Sequence, residues 1–327
     1  MNYLEEHKNE IFKKYTKEEL IKDIENYKNG TGKLSKVLNQ YFEECIFNCK
    51  SNKYQYTPME VLQNEELMNW ILDYVKSKPN FYTGNEISNV KSFFRNGTRY
   101  ARKVANFCPK NARNIYSRYF PNWADTSNKI NCLDTSCGFG SRMSAVLLSG
   151  HNYFGIDPNK ELQLKLKECA KFYKDNGFID SEQKCRLCSM GSETFIEQFE
   201  NMMDISFTSP PYFNLETYSA DDCESTNHYD NYNNWLEYFA KPTILNTYKY
   251  LKIGGYAMIN IKNMTNLGKQ NLFDDFFDIF QSINGFEFVE IFEMEHQSKK
   301  NFIMNCNYTE EQYKGFKEPI MVFKKIK

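Results

Sequence analysis

The stretch INCLDTSCGFGSRMSAVLLSGHNYFGID, residues 130–157, decides the fold. It opens on a short apolar run that ends at Asp134 and bends through Gly138 and Gly140. A helical pattern and a second apolar run ending at Asp157 follow. A strand, a helix and a second strand in this order predict the βαβ unit of a parallel sheet. The glycine bend lies at the carboxyl end of the first strand, where sheets of this kind bind ligands.

Strand and helix patterns continue to alternate along the chain. Strands are predicted near Ile130–Asp134, Tyr153–Asp157, Lys184–Ser189, Asp204–Thr208, Tyr256–Ile261, Phe286–Phe292 and Ile320–Lys324. Helices are predicted after Gly140, Asn159, Thr194 and Asn233, and over Asn271–Ile283. This alternation predicts an α/β fold with a doubly wound, mostly parallel sheet of seven strands, the last two pairing antiparallel.

The first 125 residues are helical in pattern. Capping signals and amphipathic stripes predict helices after Thr16, from Thr57 to a point before Pro79, over Asn89–Asn106, and from Lys110 to Pro121. We therefore divide the chain into a helical N-terminal domain, residues 1–125, and a sheet-containing domain, residues 126–327.

Acidic residues flank the glycine bend. Asp157 ends the second strand, where a carboxylate can accept hydrogen bonds from a ribose diol. A dinucleotide site would have a third glycine three residues after Gly140, but Met143 stands there. Asp134 beside the bend instead favours a ligand with an ammonium group and no phosphates, and S-adenosylmethionine (SAM) fits that description. A tight turn without a ligand is the alternative.

Two prolines follow the fourth predicted strand, in the tetrapeptide Ser209-Pro210-Pro211-Tyr212. Because prolines fix φ and lack N–H donors, the carbonyl groups around them form a rigid array of acceptors. Ser209 Oγ and the Pro210 carbonyl can accept both N–H bonds of an exocyclic amino group, and Tyr212 offers a face on which a base can stack. Such positioning would concentrate the nitrogen lone pair for attack on a sulfonium methyl, with the proton lost late or to solvent, so that no dedicated general base is demanded.

These motifs resemble motifs I, II and IV of the class I SAM-dependent aminomethyltransferases that modify DNA. The likeness rests on Asp134-x-x-Cys137-Gly138-Phe139-Gly140, on Asp157 and on the tetrapeptide, in that order. It extends from about Arg99 to Lys325, where the chain is similar to methyltransferases of bacteriophages and mobile elements. The resemblance implies a Rossmann-like class I methyltransferase fold, SAM as cofactor, and a restriction-modification or phage setting.

The resemblance also implies the substrate and the site residues. It implies methyl transfer to the exocyclic amino group of a DNA base flipped out of the duplex. The serine that begins the tetrapeptide slightly favours cytosine N4, and adenine N6 is the alternative. The catalytic residues would be Ser209, Pro210, Pro211 and Tyr212. The cofactor-binding residues would be Asp134, Cys137, Gly138, Phe139, Gly140, Arg142, Asp157, Ser192, Arg102 and Phe107, with Asn106 beside Phe107.

A basic and aromatic segment precedes the glycine bend. No Asp or Glu occurs between Ile87 and Ala124, and the basic residues there are Lys91, Arg95, Arg99, Arg102, Lys103, Lys110, Arg113 and Arg118. The net charge of the chain is −1, so nucleic-acid binding must come from such a local patch. We expect DNA contacts from Lys91, Arg95, Arg99, Phe213 and Tyr218. A solvated helix face packed on the next domain is the alternative.

Target recognition is expected from the N-terminal helices, the loop Thr217–Asn234 or the connection Met294–Glu318, because the chain ends at the seventh predicted strand. A specificity subunit or a homodimer partner is a further possibility. Glu193 and Glu216 are candidates for contacts to substrate or cofactor, with exposed loop carboxylates as the alternative.

Composition excludes other classes of protein. Hydrophobic residues make up 41% of the chain and aromatic residues 16%, too much for a disordered chain. No apolar run is long enough for a bilayer, and the N-terminus has no apolar signal segment, so we expect a cytoplasmic protein that has no membrane partner. The ten cysteines are expected to be reduced and to bind no metal, because neither Cys185-x-x-Cys188 nor Cys45-x3-Cys49 has a matched second pair.

Two other interpretations stay open. The same chemistry could act on RNA or on a protein glutamine, although glutamine modifiers usually have Asn in place of Ser209. A non-catalytic methyltransferase-like subunit would show a damaged glycine bend or tetrapeptide, and neither is damaged here.

Overall fold

The computed structural model describes residues 2–97, 99–213, 215–218, 228–229, 231–263, 271–294 and 318–327. Most of the predicted loop Thr217–Asn234, with its acids Asp221, Asp222 and Glu224, lies outside the described residues. Nearly all of the connection Met294–Glu318 does so as well. Within the described ranges, no helix combines the length and the apolar character that a membrane span needs.

A sheet of seven strands forms the centre of the molecule. The strands of the chain are β1 (Lys50–Ser51), β2 (Asn131–Asp134), β3 (Asn152–Ile156), β4 (Cys185–Cys188), β5 (Met203–Thr208), β6 (Glu216–Thr217), β7 (Leu251–Asn260), β8 (Phe286–Glu293) and β9 (Pro319–Lys325). The large sheet has the order β4-β3-β2-β5-β7-β9-β8. Pairing is parallel from β4 to β7, and β9 is antiparallel to both β7 and β8. This is the Rossmann-like class I methyltransferase fold, as predicted.

Alternating side chains give the sheet two buried faces, as both faces of a largely parallel sheet require. On β2, Cys132 belongs to one hydrophobic cluster and Leu133 to the other. On β9, Val322 and Phe323 divide in the same way. The result is a three-layer α/β/α arrangement that leaves the carboxyl ends of the strands accessible.

Helices cover the sheet and form most of the N-terminal region. Those within the described ranges are α1 (Tyr3–Ile11), α2 (Lys17–Lys28), α3 (Ser35–Asn48), α4 (Pro58–Gln63), α5 (Glu65–Lys76), α6 (Glu86–Asn96), α7 (Pro109–Tyr119), α8 (Ser141–Leu147), α9 (Lys160–Asp175), α10 (Tyr232–Trp235), α11 (Lys241–Tyr250) and α12 (Leu272–Ser282). A π-helical turn over Leu236–Ala240 joins α10 to α11.

Three predicted helical segments differ from the structure. The helix predicted over Asn89–Asn106 ends at Asn96, because Gly97 adopts a left-handed φ of 69°. The segment after Thr194 contains only the 3-10 turn Glu197–Phe199. Residues 58–76 form two helices, since the Asn64 side chain accepts a hydrogen bond from the Leu67 N–H and begins a new helix there.

The N-terminal helices divide between two cores. Residues of α2, α3 and α7 pack in the same hydrophobic cluster as the sheet, whereas α1, α4, α5 and α6 build a separate cluster. The division of the chain at residue 125 stays a prediction, and a continuous core crosses that boundary. A second link is the two-stranded sheet in which β1 pairs antiparallel with β6, just after the tetrapeptide.

Candidate active site

The predicted site motifs meet at the carboxyl ends of β2 and β5. These strands are neighbours in the sheet, and chain connections leave them toward opposite edges, so the site lies at the topological switch point. A cavity of about 1200 Å³ opens there. Gly138 and Asp157 line it together with all four residues of the tetrapeptide.

The glycine bend brings backbone to the cavity wall. Gly138 has a φ of 54°, and a Cβ placed on it would lie 3.9 Å from the nearest atoms, Arg142 Nη2 and the Ser136 carbonyl oxygen. A ligand can therefore approach this backbone closely. A backbone hydrogen bond ties the bend to β3, because the Cys137 N–H donates to the Ile156 carbonyl at 3.2 Å.

Asp157 stands just beyond the end of β3. Its Oδ2 accepts from the Gly138 N–H at 3.3 Å, and its Oδ1 accepts from the Asn159 N–H at 3.1 Å. Burial raises the pKa of this carboxyl from 3.8 to about 6, although both hydrogen bonds act in the opposite direction. The carboxylate is thus oriented by backbone donors at the place predicted for a ribose acceptor.

Asp134 differs from its prediction as a ligand for an ammonium group. Its side chain is 0% exposed and does not line the cavity. Arg142 forms an ion pair with it, with Nε 2.7 Å from Oδ2, and the Tyr153 hydroxyl donates to the same oxygen at 2.9 Å. The carboxylate therefore anchors Arg142, which does line the cavity, rather than facing a ligand.

Two other predicted cofactor residues do not line the cavity. Gly140 faces α3, where a Cβ would come within 2.7 Å of the Phe42 ring, so packing rather than a ligand requires a glycine here. Arg102 is exposed and covers Gly97 instead of lining the cavity wall.

The remaining predicted cofactor residues lie at the cavity. Cys137, Phe139, Phe107, Asn106 and Ser192 all line it. Asn106 holds the bend, since its Nδ2 donates to the Phe139 carbonyl at 3.3 Å and its Oδ1 accepts from the Ser141 hydroxyl at 2.9 Å. Ser192 Oγ is 2.9 Å from the Thr243 hydroxyl.

The tetrapeptide follows β5 directly. The Tyr212 hydroxyl accepts a hydrogen bond from the Lys262 N–H at 3.2 Å, and the Tyr212 carbonyl accepts from the Leu215 N–H at 3.0 Å. Burial raises the pKa of the Tyr212 phenol, so it is neutral at ordinary pH. Hydrogen bonds therefore hold both the side-chain hydroxyl and the backbone carbonyl of Tyr212. They add to the rigidity that the prolines give the turn.

Two residues that line the cavity carry buried polar atoms without hydrogen-bond partners among the described residues. Thr135 Oγ1 and Glu193 Oε2 belong to lining residues, and neither has a hydrogen-bond partner in the described part of the chain. Because an unsatisfied buried polar atom is costly, each of these side chains would gain a hydrogen bond by turning toward a polar ligand in the cavity.

The predicted DNA-contacting residues do not form one patch. The Lys91 ammonium group forms hydrogen bonds within the protein. Its Nζ lies 3.1 Å from Glu43 Oε2 and 2.5 Å from the Ile11 carbonyl oxygen. Phe213 packs against Tyr232 and Trp235 in the core on one face of the sheet. Both side chains already have internal partners, so the structure does not favour the DNA contacts predicted for them.

The other basic residues of this segment are either paired within the protein or exposed. Lys103 also pairs with Glu43, Arg113 donates to the Tyr27 carbonyl, and Arg118 pairs with Glu290. Arg95, Arg99, Arg102 and Lys110 are exposed. Tyr218 lines the cavity, and its hydroxyl donates to Glu216.

Sequence reasoning missed one wall of the cavity. It is built by the end of α3 and by α4, with the lining residues Cys45, Asn48, Cys49, Thr57, Met59, Glu60 and Gln63. The packing of α3 on α9 and the pairing of β1 with β6 hold this wall at the site. No local sequence pattern signals such long-range packing.

Comparisons with known proteins assign no family to this chain. No protein family matches the sequence, and no curated protein matches it. Similar solved structures include a SAM-dependent O-methyltransferase from Thermotoga maritima, a tRNA methyltransferase from Aquifex aeolicus and the magnesium protoporphyrin IX methyltransferase of Synechocystis with bound SAM. Their identities to this chain are 12%, 10% and 9%, and the TM-scores are 0.41, 0.40 and 0.41. The alignments cover 69%, 69% and 66% of this chain, and 68%, 72% and 79% of those chains.

Proposed function

We propose that this protein is a SAM-dependent methyltransferase that acts on the exocyclic amino group of a DNA base, at cytosine N4 rather than adenine N6. One observation carries the proposal. The glycine bend with Asp157 and the tetrapeptide Ser209–Tyr212 line the same cavity at the switch point of the sheet.

The residues at the bend suit SAM. Gly138 leaves room for close approach to the backbone, and Asp157 presents an oriented carboxylate to a diol. Thr135 Oγ1 and Glu193 Oε2 are further polar groups without partners in the described part of the chain. When bound, SAM supplies an electrophilic methyl group on a sulfonium.

The tetrapeptide suits an amino group. Within the described part of the chain, no hydrogen bond involves the Ser209 hydroxyl, so it can accept one N–H bond while the Pro210 carbonyl accepts the other. Tyr212 is held by the Lys262 N–H, which fixes its ring as a stacking surface. These residues position the nitrogen and orient its lone pair, which is catalysis by proximity and electrostatics.

A DNA base must leave the duplex to enter this cavity. The exposed Arg95 and Arg99 are then the side chains to contact phosphates, and Tyr218 at the cavity is available to contact the base.

The proposal is tested by incubating the protein with tritium-labelled SAM and separate pools of unmethylated duplex DNA, total RNA and protein, followed by mass analysis of the methylated product. We expect label in DNA as a methylated exocyclic amine. Label only in RNA or in protein would overturn the DNA assignment, and no label in any pool would overturn the enzyme assignment.

Matched variants separate binding from chemistry. Calorimetry should show SAM binding that Asp157→Ala weakens, while Ser209→Ala and Tyr212→Ala abolish transfer and leave SAM binding nearly intact. Joint loss of binding and transfer in the tetrapeptide variants would show that the turn is only structural.

A further inference from the structure

A carboxylate that the proposed chemistry does not use lines the cavity beside the tetrapeptide. Glu216 belongs to β6, which pairs with β1 in the register Ser51↔Glu216. The Asn52 N–H donates to the Leu215 carbonyl at 2.8 Å, next to Glu216. A strand from the N-terminal region therefore fixes the backbone that carries this side chain.

The surroundings of Glu216 are mixed in charge. The Tyr218 hydroxyl donates to its Oε2, and Arg102 and Lys262 stabilise its anion. From β1, Lys50 stands opposite Thr217. Burial is the largest influence and raises the pKa of the carboxyl above its ordinary value.

Two carboxylates act electrostatically on the Tyr212 phenol, Glu318 and Glu216. Glu318 forms an ion pair with Lys262 at 3.3 Å, whereas Glu216 accepts from the hydroxyl of Tyr218. An ion-paired carboxylate is the weaker base, so Glu216 is the better proton acceptor of the two.

We propose that Glu216 is a catalytic residue that accepts the proton shed by the target amino group. The inference rests on the proposed function. The amino nitrogen uses its lone pair for the new N–C bond, while the electrons of the broken S–C bond stay with sulfur. The nitrogen is then cationic, and its N–H electron pair returns to it as the proton moves to a Glu216 oxygen and onward to water. Ser209 and Pro210 accept hydrogen bonds but are too weakly basic to take this proton.

The test compares Glu216→Gln, which keeps the shape and removes the basic carboxylate, with Glu168→Gln, a change to an exposed carboxylate on α9. With the nucleic acid that accepts label in the assay above, we expect E216Q to slow transfer about 100-fold near pH 8 and E168Q to have no effect. The wild-type rate should rise with pH through the pKa of Glu216, as measured by carboxyl 13C NMR of the ligand-free protein. That rise should be absent in E216Q. Binding of S-adenosylhomocysteine should stay within about twofold in both variants, because Glu216 acts on the substrate side.

Tyr218→Phe provides an independent readout. It keeps the carboxylate and removes a hydrogen bond that lowers the pKa of Glu216, so the rising part of the pH profile should move to higher pH. If E216Q does not fold, the pH profile of the Tyr218→Phe variant decides the test. A profile that does not move from that of the wild type then overturns the proposal. A wild-type rate and pH profile in E216Q overturn it while the proposed function stands. A wild-type protein that methylates nothing overturns both.

Discussion

Two glycines of one bend are required for different reasons. Gly138 has a φ of 54° and open space where a Cβ would be, whereas Gly140 has a φ of 70° and the Phe42 ring 2.7 Å from that position. We expect Gly140→Ala to lower the free energy of unfolding by about 2–4 kcal/mol, from left-handed strain and overpacking together. Gly138→Ala adds only the strain, about 1–2 kcal/mol, and mainly weakens the binding of S-adenosylhomocysteine. Chemical denaturation and calorimetry measure both effects.

Phe42→Leu supplies the control for this comparison. It makes room at Gly140 and none at Gly138, so it should recover part of the stability that G140A removes and none of what G138A removes. Equal recovery in both variants would contradict the assignment of Gly140 to packing.

The carboxyl of Asp157 makes both stability and binding depend on pH. Its pKa is raised from 3.8 to about 6, so the fold favours the neutral form. The resulting stabilisation of the folded state is complete at pH values below the pKa that Asp157 has in the unfolded chain. It is lost as the pH rises through the folded-state pKa of about 6. A ribose diol needs the ionised form, so the affinity for S-adenosylhomocysteine should increase about tenfold between pH 5 and pH 7. Calorimetry at the two pH values checks this increase.

Asp157→Asn cannot ionise and is the matched variant. It should bind S-adenosylhomocysteine weakly with no change between the two pH values, and its ligand-free form should melt at a higher temperature than the wild type at pH 8. A wild-type affinity that is constant across this range would show that Asp157 does not bind the diol.

Single side chains set the limit of what the sequence could predict at the site. The motifs placed Gly138, Asp157 and Tyr212 at strand ends, and the sheet order brings those ends together. The orientation of Asp134 depends on Arg142 and on Tyr153 from a neighbouring strand, and no local pattern records such interactions.

At the scale of elements, the strand patterns were more informative than the helix patterns. All seven strands of the large sheet lie within a few residues of their predicted positions, although β7 begins earlier, at Leu251. Buried strands are recognisable because their apolar runs are short and bounded by turn residues. Helix ends depend on single residues, as Gly97 and Asn64 show. The pair β1 and β6 is too short to leave a pattern.

Three segments are joined by one buried carboxylate. Glu43 on α3 is 4% exposed and pairs with Lys91 of α6 at 3.1 Å and with Lys103 at 3.3 Å. Lys91→Met should lower the free energy of unfolding by about 2 kcal/mol, because the buried anion keeps only one of its two cations. Thermal and chemical denaturation measure this decrease. DNA affinity and its dependence on salt should not change.

Charge reversal at Arg95 and Arg99 is the matched change on the exposed side of the same segment. It should lower DNA affinity and reduce the slope of log K against log salt by about 0.9 for each phosphate that the variant no longer neutralises. Stability should also fall somewhat, because Arg99 loses its contacts with the Trp70 and Tyr100 rings. A reduced slope in K91M would show that Lys91 reaches phosphate after all. An unchanged slope in the charge-reversal variant would show that this surface faces another partner.

For the molecule as a whole, the core does not stop where the sequence pattern changes. The helical and strand-rich halves differ clearly in periodicity near residue 125, yet α2, α3 and α7 pack in the same cluster as the sheet. Phe42 and Tyr116 are fully buried members of that cluster. Periodicity reports which element a segment forms, but it does not report which face of the molecule that element covers.

A fragment of residues 126–327 tests what this continuity means for folding. It lacks the three helices that share a hydrophobic cluster with one face of the sheet, so it would expose the apolar side chains that pack against them. We expect the fragment to aggregate or to unfold without a cooperative transition and not to bind S-adenosylhomocysteine, whereas the full chain should unfold cooperatively and bind this ligand. Circular dichroism during thermal unfolding, together with calorimetry, measures the difference. A fragment that melts cooperatively and binds the ligand would show that the sheet is stable alone, and the N-terminal helices would then be a separate domain docked on it.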